Sequence, residues 1–226
     1  MPVRVFTTNN DIGSLKDKVI PSTGGKTKNM LGVQCVLRLA PKHASRTYLT
    51  GRDSKLSSVQ AAANKILSEQ SRVDLLMANT GVMNQPHGLT SDGYEVQFGT
   101  NFPRHALLIM KLFPLMSQTV RLSESDVRII QLTSTNFRRE LARHYPDIVS
   151  VSVTPGIVGT ELVSKQNAFH RATILQGRIY SIERAPIRQG ALYERVGVLS
   201  RLATKYTCDE ELAKRLWVWT EAELEN

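Results

Sequence analysis

The sequence predicts an α/β protein with a doubly wound, mostly parallel sheet, organised as a single domain over residues 1–226. Three observations predict it. Short apolar runs of strand character alternate with segments of helical spacing along the whole chain. Single helices separate the strands, which is the connection parallel pairing requires. No internal repeat, low-complexity tract or linker divides the 226 residues, a length that suits one core. Right-handed crossovers then place helices on both faces of the sheet.

The elements follow in order. Lys18-Val19-Ile20 is a short apolar run closed by Thr23-Gly24-Gly25, with Pro21 at its end, where it removes a ladder donor. Leu31 to Ala40 carries Val33, Val36, Leu37 and Leu39 at helical spacing. Thr47 to Thr50 is a strand stopped by Gly51, and Val59 to Leu67 is an alanine-rich helix with Ser57 or Ser58 as its cap. Val73 to Met77 is an apolar strand ending at Asn79-Thr80-Gly81. Tyr94 to Met116 reads as a long buried helix with a break expected at Pro103. Val127 to Leu132 is a strand, Asn136 to His144 a short helix, and Ile148 to Val153 a strand closed by Pro155-Gly156. Asp209-Glu210-Glu211 open a last helix running to about Trp219, with Leu212, Leu216 and Trp219 on one face.

Charge and composition narrow the function. The chain has 29 Lys and Arg against 20 Asp and Glu, a formal charge of +9, and a pI near 9.8. Such a balance invites a nucleic acid or an anionic membrane. The basic residues do not cluster, however. No three are consecutive, and no zinc-finger, RNA-recognition or basic-zipper pattern occurs. A solvated basic surface drawing in an anionic cofactor is expected, without a nucleic-acid partner. Cys35 and Cys208 lie far apart and lack metal-ligand spacing, so neither a metal site nor a disulfide framework is expected. Met1 to Lys18 does not read as a signal peptide. The most apolar stretch, Ala106 to Met116, is interrupted by Lys111 and Pro114 and is too short to span a bilayer. The expected location is the cytoplasm.

Chemistry is concentrated at the strand ends. Thr23-Gly24-Gly25 closes the first strand, where a dinucleotide-binding fold seats a pyrophosphate. Glycines there admit the phosphates, and the next helix offers N–H donors and a favourable dipole. Further blocks are Ala78-Asn79-Thr80-Gly81, the stretch from Leu89 to Asn101, Ile129-Ile130-Gln131-Leu132-Thr133-Ser134, and Pro155-Gly156-Ile157-Val158-Gly159-Thr160. In these blocks the chain resembles the short-chain dehydrogenase/reductase family, and looks very like its subgroup of retinol dehydrogenases and WW-domain oxidoreductases. The acidic opening of the last helix and the stretch from Trp217 to Leu224 also look like this subgroup. The resemblance implies a Rossmann-like fold and hydride transfer with NAD(P).

The resemblance also implies roles for particular residues. Thr23, Gly24 and Gly25 begin the glycine turn. Read without gaps, its last two glycines fall on Lys28 and Met30. A two-residue insertion places the final glycine on Gly32 and leaves Met30 where the middle one belongs. Arg52 ends the second strand where NADP-preferring members carry a basic residue, which puts NADP ahead of NAD. Asn79 and Gly81 match the turn after the next apolar strand. Asn101 matches the asparagine of the catalytic tetrad, and Ser134 the catalytic serine. Pro155, Gly156, Val158 and Thr160 match the turn beside the nicotinamide. Taken singly, each has a plainer reading as a turn glycine, a surface arginine, a helix asparagine or a capping serine; the surrounding blocks favour the family reading.

One part of the pattern is missing. The family's acid or base is a Tyr, with a Lys four residues later that shares its helix face, lowers its pKa and holds the nicotinamide ribose. Ser134 is followed almost at once by Asn136-Phe137-Arg138-Arg139-Glu140, and no Lys occurs from Thr135 to Ile148. Tyr145 precedes Pro146 and falls past the helix end. Tyr180 and Arg184 have the right spacing but follow the Pro-Gly turn. Between Arg52 and Val73 there is room for one crossover helix, where the family has two helices and a strand, so the third, edge strand is expected to be absent.

The expectation is an NADP(H)-dependent oxidoreductase of a small lipophilic or secondary-metabolite carbonyl or alcohol, impaired by the missing segment. The alternative is a non-catalytic relative that binds a cofactor or partner, or a truncated gene product. The resemblance implies a homodimer, formed through the helix shortened here.

Overall fold

The computed structural model describes residues 12–25, 31–51, 55–82, 85–123, 125–132, 137–154, 187–194, 198–200 and 209–224. In chain order they form β1 (Val19–Thr23), α1 (Leu31–Leu39), β2 (Arg46–Thr50), α2 (Leu56–Glu69), β3 (Leu75–Ala78), α3 (Val96–Asn101) and α4 (Pro103–Val120). β4 (Arg128–Gln131), α5 (Phe137–His144), β5 (Val149–Thr154), β6 (Leu192–Glu194), β7 (Val198–Leu199) and α6 (Glu210–Leu224) follow. The strands make one sheet in the order β2-β1-β3-β4-β5-β6-β7. Every pairing is parallel except that of β6 with β7. Among the described residues β2 is one edge of the sheet, as the short Arg52–Val73 stretch leads one to expect.

Alternation along the central strands sends side chains to two cores. Val19, Leu76 and Ile129 pack on one face with Ile66, Leu112 and Trp217. Ile20, Leu75, Met77 and Ile130 pack on the other with Cys35 and Leu39 of α1. Helices therefore cover both faces, as the doubly wound class requires.

Pro21 lies in the middle of β1 rather than at its end, and its effect is local. β1 pairs with β2 over five residues. On the other side, the Val19 N–H donates to Asp74 Oδ2 at 2.9 Å, and the Val19 carbonyl accepts the Asp74 N–H at 3.0 Å. Pro21, two residues on, faces the same way with no N–H to give, and the pairing with β3 is reduced to Ser22↔Met77.

The expected break in the long helix is present. Phe102, at φ −125° and ψ −70°, separates α3 from α4. Pro103 then opens α4, where a missing N–H costs nothing. Two expectations need correction. Ser57 and Ser58 do not cap α2; Lys55 is the N-cap without a side-chain bond. The Leu56 N–H is taken by Asp92 Oδ2 at 2.9 Å, and Ser58, inside the helix, donates back to the Lys55 carbonyl. In α6 the buried stripe is Ala213, Trp217, Thr220 and Leu224, one residue out of phase with the expected Leu212, Leu216 and Trp219. Trp217 sets the phase by stacking on Phe137 and on His144, at ring-centroid distances of 5.4 and 4.4 Å.

Among the described residues no helix is long and apolar enough to cross a membrane.

Candidate functional site

The ends of β1 and β3 meet at the Thr23 hydroxyl. Thr23 Oγ1 accepts the backbone N–H groups of Asn79 at 2.7 Å and Thr80 at 2.8 Å, and lies 3.1 Å from His105 Nε2. A hydroxyl has two lone pairs and one proton. Both lone pairs are used, so the proton goes to Nε2. His105 is thereby held as the neutral tautomer with its proton on Nδ1. Asn79 Nδ2 adds a bond to Ser22 Oγ at 2.9 Å. Thr23, Asn79, Thr80 and His105 are all buried, so these bonds are shielded from competing water. The turn after β1, the turn after β3 and the first turn of α4 are braced as one unit.

The glycines fit around this brace. Gly24 has φ +92°, a left-handed conformation suited to glycine. A Cβ on Gly25 would run into the Leu49 side chain, and one on Gly32 would overlap the Thr23 carbonyl oxygen and stand 2.8 Å from that of Gly24. α1 is therefore pressed onto the end of β1, with Gly32 allowing the close approach. The N–H groups of Gly24 and Gly25 both donate to the Thr50 carbonyl, at 3.1 and 3.0 Å, so a phosphate at this turn would draw on other donors. Gly81 is less constrained: a Cβ there would sit 3.5 Å from Asn101 Oδ1. Asn101 exchanges two bonds with the Val82 backbone, accepting its N–H and donating to its carbonyl, both at 2.8 Å.

The structure thus brings Thr23, Gly24, Gly25, Gly32, Asn79, Gly81 and Asn101 to the ends of β1, β3 and α3. Arg52, Ser134, Pro155, Gly156, Val158, Thr160, Tyr180 and Arg184 lie outside the described residues. Three of the four described tyrosines have committed hydroxyls. Tyr48 donates to Glu69 at 2.8 Å, Tyr94 to Glu223 at 2.8 Å, and Tyr193 accepts the Arg188 N–H at 2.9 Å. Tyr145 follows the C-terminal end of α5 and stacks on Phe113. Burial, then the charge of Glu221, push its hydroxyl above the usual phenol range, away from what proton transfer near neutral pH requires. Among the described residues no group of three His, Cys, Asp or Glu is placed to hold a metal ion.

A cavity of about 290 Å³ opens beside the brace, between the ends of β1 and β2 and helices α2 and α4. Thr23, Thr50 and Thr80 line it from the strand ends, Val59, Ala62 and Ile66 from α2, and Arg104, His105 and Leu108 from α4. The sequence reading missed Arg104 and His105. Their one signal was position, three and four residues after Asn101 and so on the neighbouring helical turn.

A parallel sheet covered on both faces, with its order reversing at β1 and β3 above a glycine turn, defines a doubly wound protein of the Rossmann type. No family model matches the chain. It is 31% identical over 155 residues to an uncharacterized oxidoreductase of Schizosaccharomyces pombe, covering 56% of this chain and 45% of that one. It is 41% identical over 81 residues to human retinol dehydrogenase 13, covering 36% and 23%. The chain thus spans less than half the length of these two relatives. A short-chain dehydrogenase/reductase of Armillaria gallica is 26% identical and matches end to end, over 98% of this chain and 95% of its own. That alignment runs over 302 positions, more than the 226 residues of this chain, so the relative carries stretches with no counterpart here. Among solved structures, an uncharacterized protein from Mycobacterium paratuberculosis superposes with a TM-score of 0.75 at 18% identity, over 98% of both chains. NADPH-bound carbonyl reductase from chicken fatty liver superposes with a TM-score of 0.61 at 18% identity, over 82% of this chain and 99% of that one. The chain is thus similar in sequence to short-chain dehydrogenases/reductases and retinol dehydrogenases, and it shares its doubly wound fold with these solved structures.

Proposed function

We propose that this chain binds NADP(H) as a single domain at the crevice above β1 and β3, and that its oxidoreductase chemistry on small carbonyls or alcohols is impaired. The observation that carries the cofactor half is the Thr23 brace with Gly32 beneath it, where a Cβ would fill the close approach between α1 and β1. Thr23, Gly24, Gly25, Gly32, Asn79 and Gly81 hold the adenosine and pyrophosphate end. Pro155, Gly156, Val158 and Thr160 hold the nicotinamide end, and Arg52 supplies the charge that favours NADP over NAD. The carbonyl reductase that shares the fold carries NADPH, which supports this choice of cofactor. The cofactor supplies the hydride. Ser134 orients the substrate oxygen, and Asn101 acts as a positioning residue through its two bonds to Val82.

The impairment rests on the sequence from Thr135 to Ile148, which contains no Lys and whose one Tyr, Tyr145, stacks on Phe113 after the end of α5. Loss of a general acid or base forfeits roughly a hundred- to ten-thousand-fold in rate. Titration of the full chain with NADPH, followed by fluorescence of the nicotinamide, tests the first half, and NADPH consumption with a panel of aldehydes and ketones tests the second. Binding with little consumption supports the proposal. Absence of binding removes the cofactor half, and rates like those of intact family members remove the impairment.

A further inference from the structure

A second cavity, of about 520 Å³, lies between α5, the start of β6, the end of β7 and the start of α6. It shares no lining residue with the cavity beside Thr23, and its size falls within the range of small-molecule sites. Four arginines line it, Arg138, Arg139 and Arg143 from α5 and Arg188 from the turn before β6, against two carboxylates, Glu140 and Glu210. Guanidinium groups keep their charge at any working pH, so the described lining is net positive.

The turn that carries Arg188 is built onto α5. Gly190 has φ +69°, and a Cβ on it would stand 3.2 Å from Ala142 Cβ. Gln189 ties the turn to the start of β5: its side chain accepts the Ser150 N–H and donates to the Ile148 carbonyl, both at 2.7 Å. Arg138 is 3% exposed, and its Nε donates to the Gly190 carbonyl at 3.2 Å. These bonds hold cations from two elements around one space, which lowers the ordering cost of binding. Glu140 adds an independent observation. It is 1% exposed, and its Oε2 faces Arg143 at 3.4 Å and His144 at 3.7 Å. Its Oε1 is buried without a hydrogen-bond partner, a costly state for an acceptor. A phosphate dianion offers only acceptors, so it answers the arginines and not Oε1. A hydroxyl on the same ligand answers Oε1.

We infer that this cavity binds a small phosphate monoester that carries a free hydroxyl, a phosphorylated polyol in class. The arginines take the phosphate, because their planar donors meet two oxygens at once, and Glu140 Oε1 accepts the hydroxyl.

Calorimetric titration of the full chain with glycerol 3-phosphate and with methyl phosphate tests this, with and without saturating NADPH. Glycerol 3-phosphate should bind at millimolar concentrations or below, with NADPH leaving its affinity unchanged. It should bind roughly three- to ten-fold more tightly than methyl phosphate, the worth of one hydrogen bond. Arg139→Gln should weaken it about tenfold, as for a lost charge-assisted bond. Arg188→Gln, at the exposed rim, should weaken it about threefold, and Arg188→Glu about tenfold, by the same step of charge taken twice. Lys16→Gln, also exposed and outside the cavity, should leave it unchanged. If Arg139→Gln does not fold, the two Arg188 variants decide. Absence of binding, displacement by NADPH, or a loss in Lys16→Gln equal to that in Arg188→Gln would overturn the inference. Equal affinity for the two phosphates would overturn the part given to Glu140.

Discussion

Replacing Thr23 with Val keeps the shape of the side chain and deletes the hydroxyl at the centre of the brace. Two buried N–H groups, of Asn79 and Thr80, then lose their acceptor, and His105 Nε2 loses its donor. Each buried donor left without a partner costs about 1–3 kcal/mol, so the two N–H groups together cost about 2–6 kcal/mol. That is a large share of the ~5–15 kcal/mol that holds a typical domain folded. Thr23→Ser is the control: it keeps the hydroxyl and removes one methyl, worth about 0.8 kcal/mol. Urea denaturation followed by tryptophan fluorescence suits the measurement, because Trp217 is buried against Phe137. With a slope of roughly 1–3 kcal/mol per molar urea, Thr23→Val should lower the midpoint by about 1 M or more and weaken NADPH binding. A midpoint no lower than that of Thr23→Ser would refute the hydrogen-bond argument.

Three further outcomes are expected. Gly32→Ala should destabilise by about 1–3 kcal/mol, the usual cost of overpacking, whereas Gly88→Ala, with open space around its Cβ position, should change the melting temperature little; equal effects would contradict the role given to Gly32. Asp74→Asn should cost about 3 kcal/mol in the same urea assay, the low end for breaking a buried ion pair. Its fully buried carboxylate serves Lys18 at 3.2 Å, Arg72 at 2.6 Å and the Val19 N–H, but both cations reach solvent. Burial and the bond to Glu223 push the Tyr94 hydroxyl up to about 12, above the ordinary value near 10. The folded state therefore holds this proton where the unfolded chain has lost it, and stability should fall between about pH 10 and 12. Tyr94→Phe should flatten that fall in denaturation midpoints measured across the range, although Tyr48 and Tyr145, also raised, keep part of it.

The sequence made most of the sheet legible because alternating apolar runs and helical spacing persist through β5. The β6–β7 hairpin was not legible: three and two residues are too few for a period to show. The phase of α6 was read one residue off because Leu212, Leu216 and Trp219 and the true stripe shifted by one share the same spacing, and only contact between Trp217 and α5 chooses between them. Around the cavity, Thr23, Gly32 and Asn79 were singled out through the resemblance of their turns to the family's, and the structure places them at the ends of β1 and β3 and the start of α1. His105 and Arg104 were not, since the bond from Thr23 to His105 spans 82 positions and leaves no trace in a local window. Asp74 was missed for a similar reason: its partner Val19 lies 55 positions away.

The most direct test of a kept nucleotide cradle without its proton donor is a single-turnover experiment. The full chain, in excess over bound NADPH, is mixed rapidly with a reactive aldehyde and loss of the reduced nicotinamide is followed. The account predicts saturable binding of NADPH and a hydride-transfer step at least about a hundred-fold slower than a family member with an intact acid or base. A step as fast as that of the intact enzyme would contradict it.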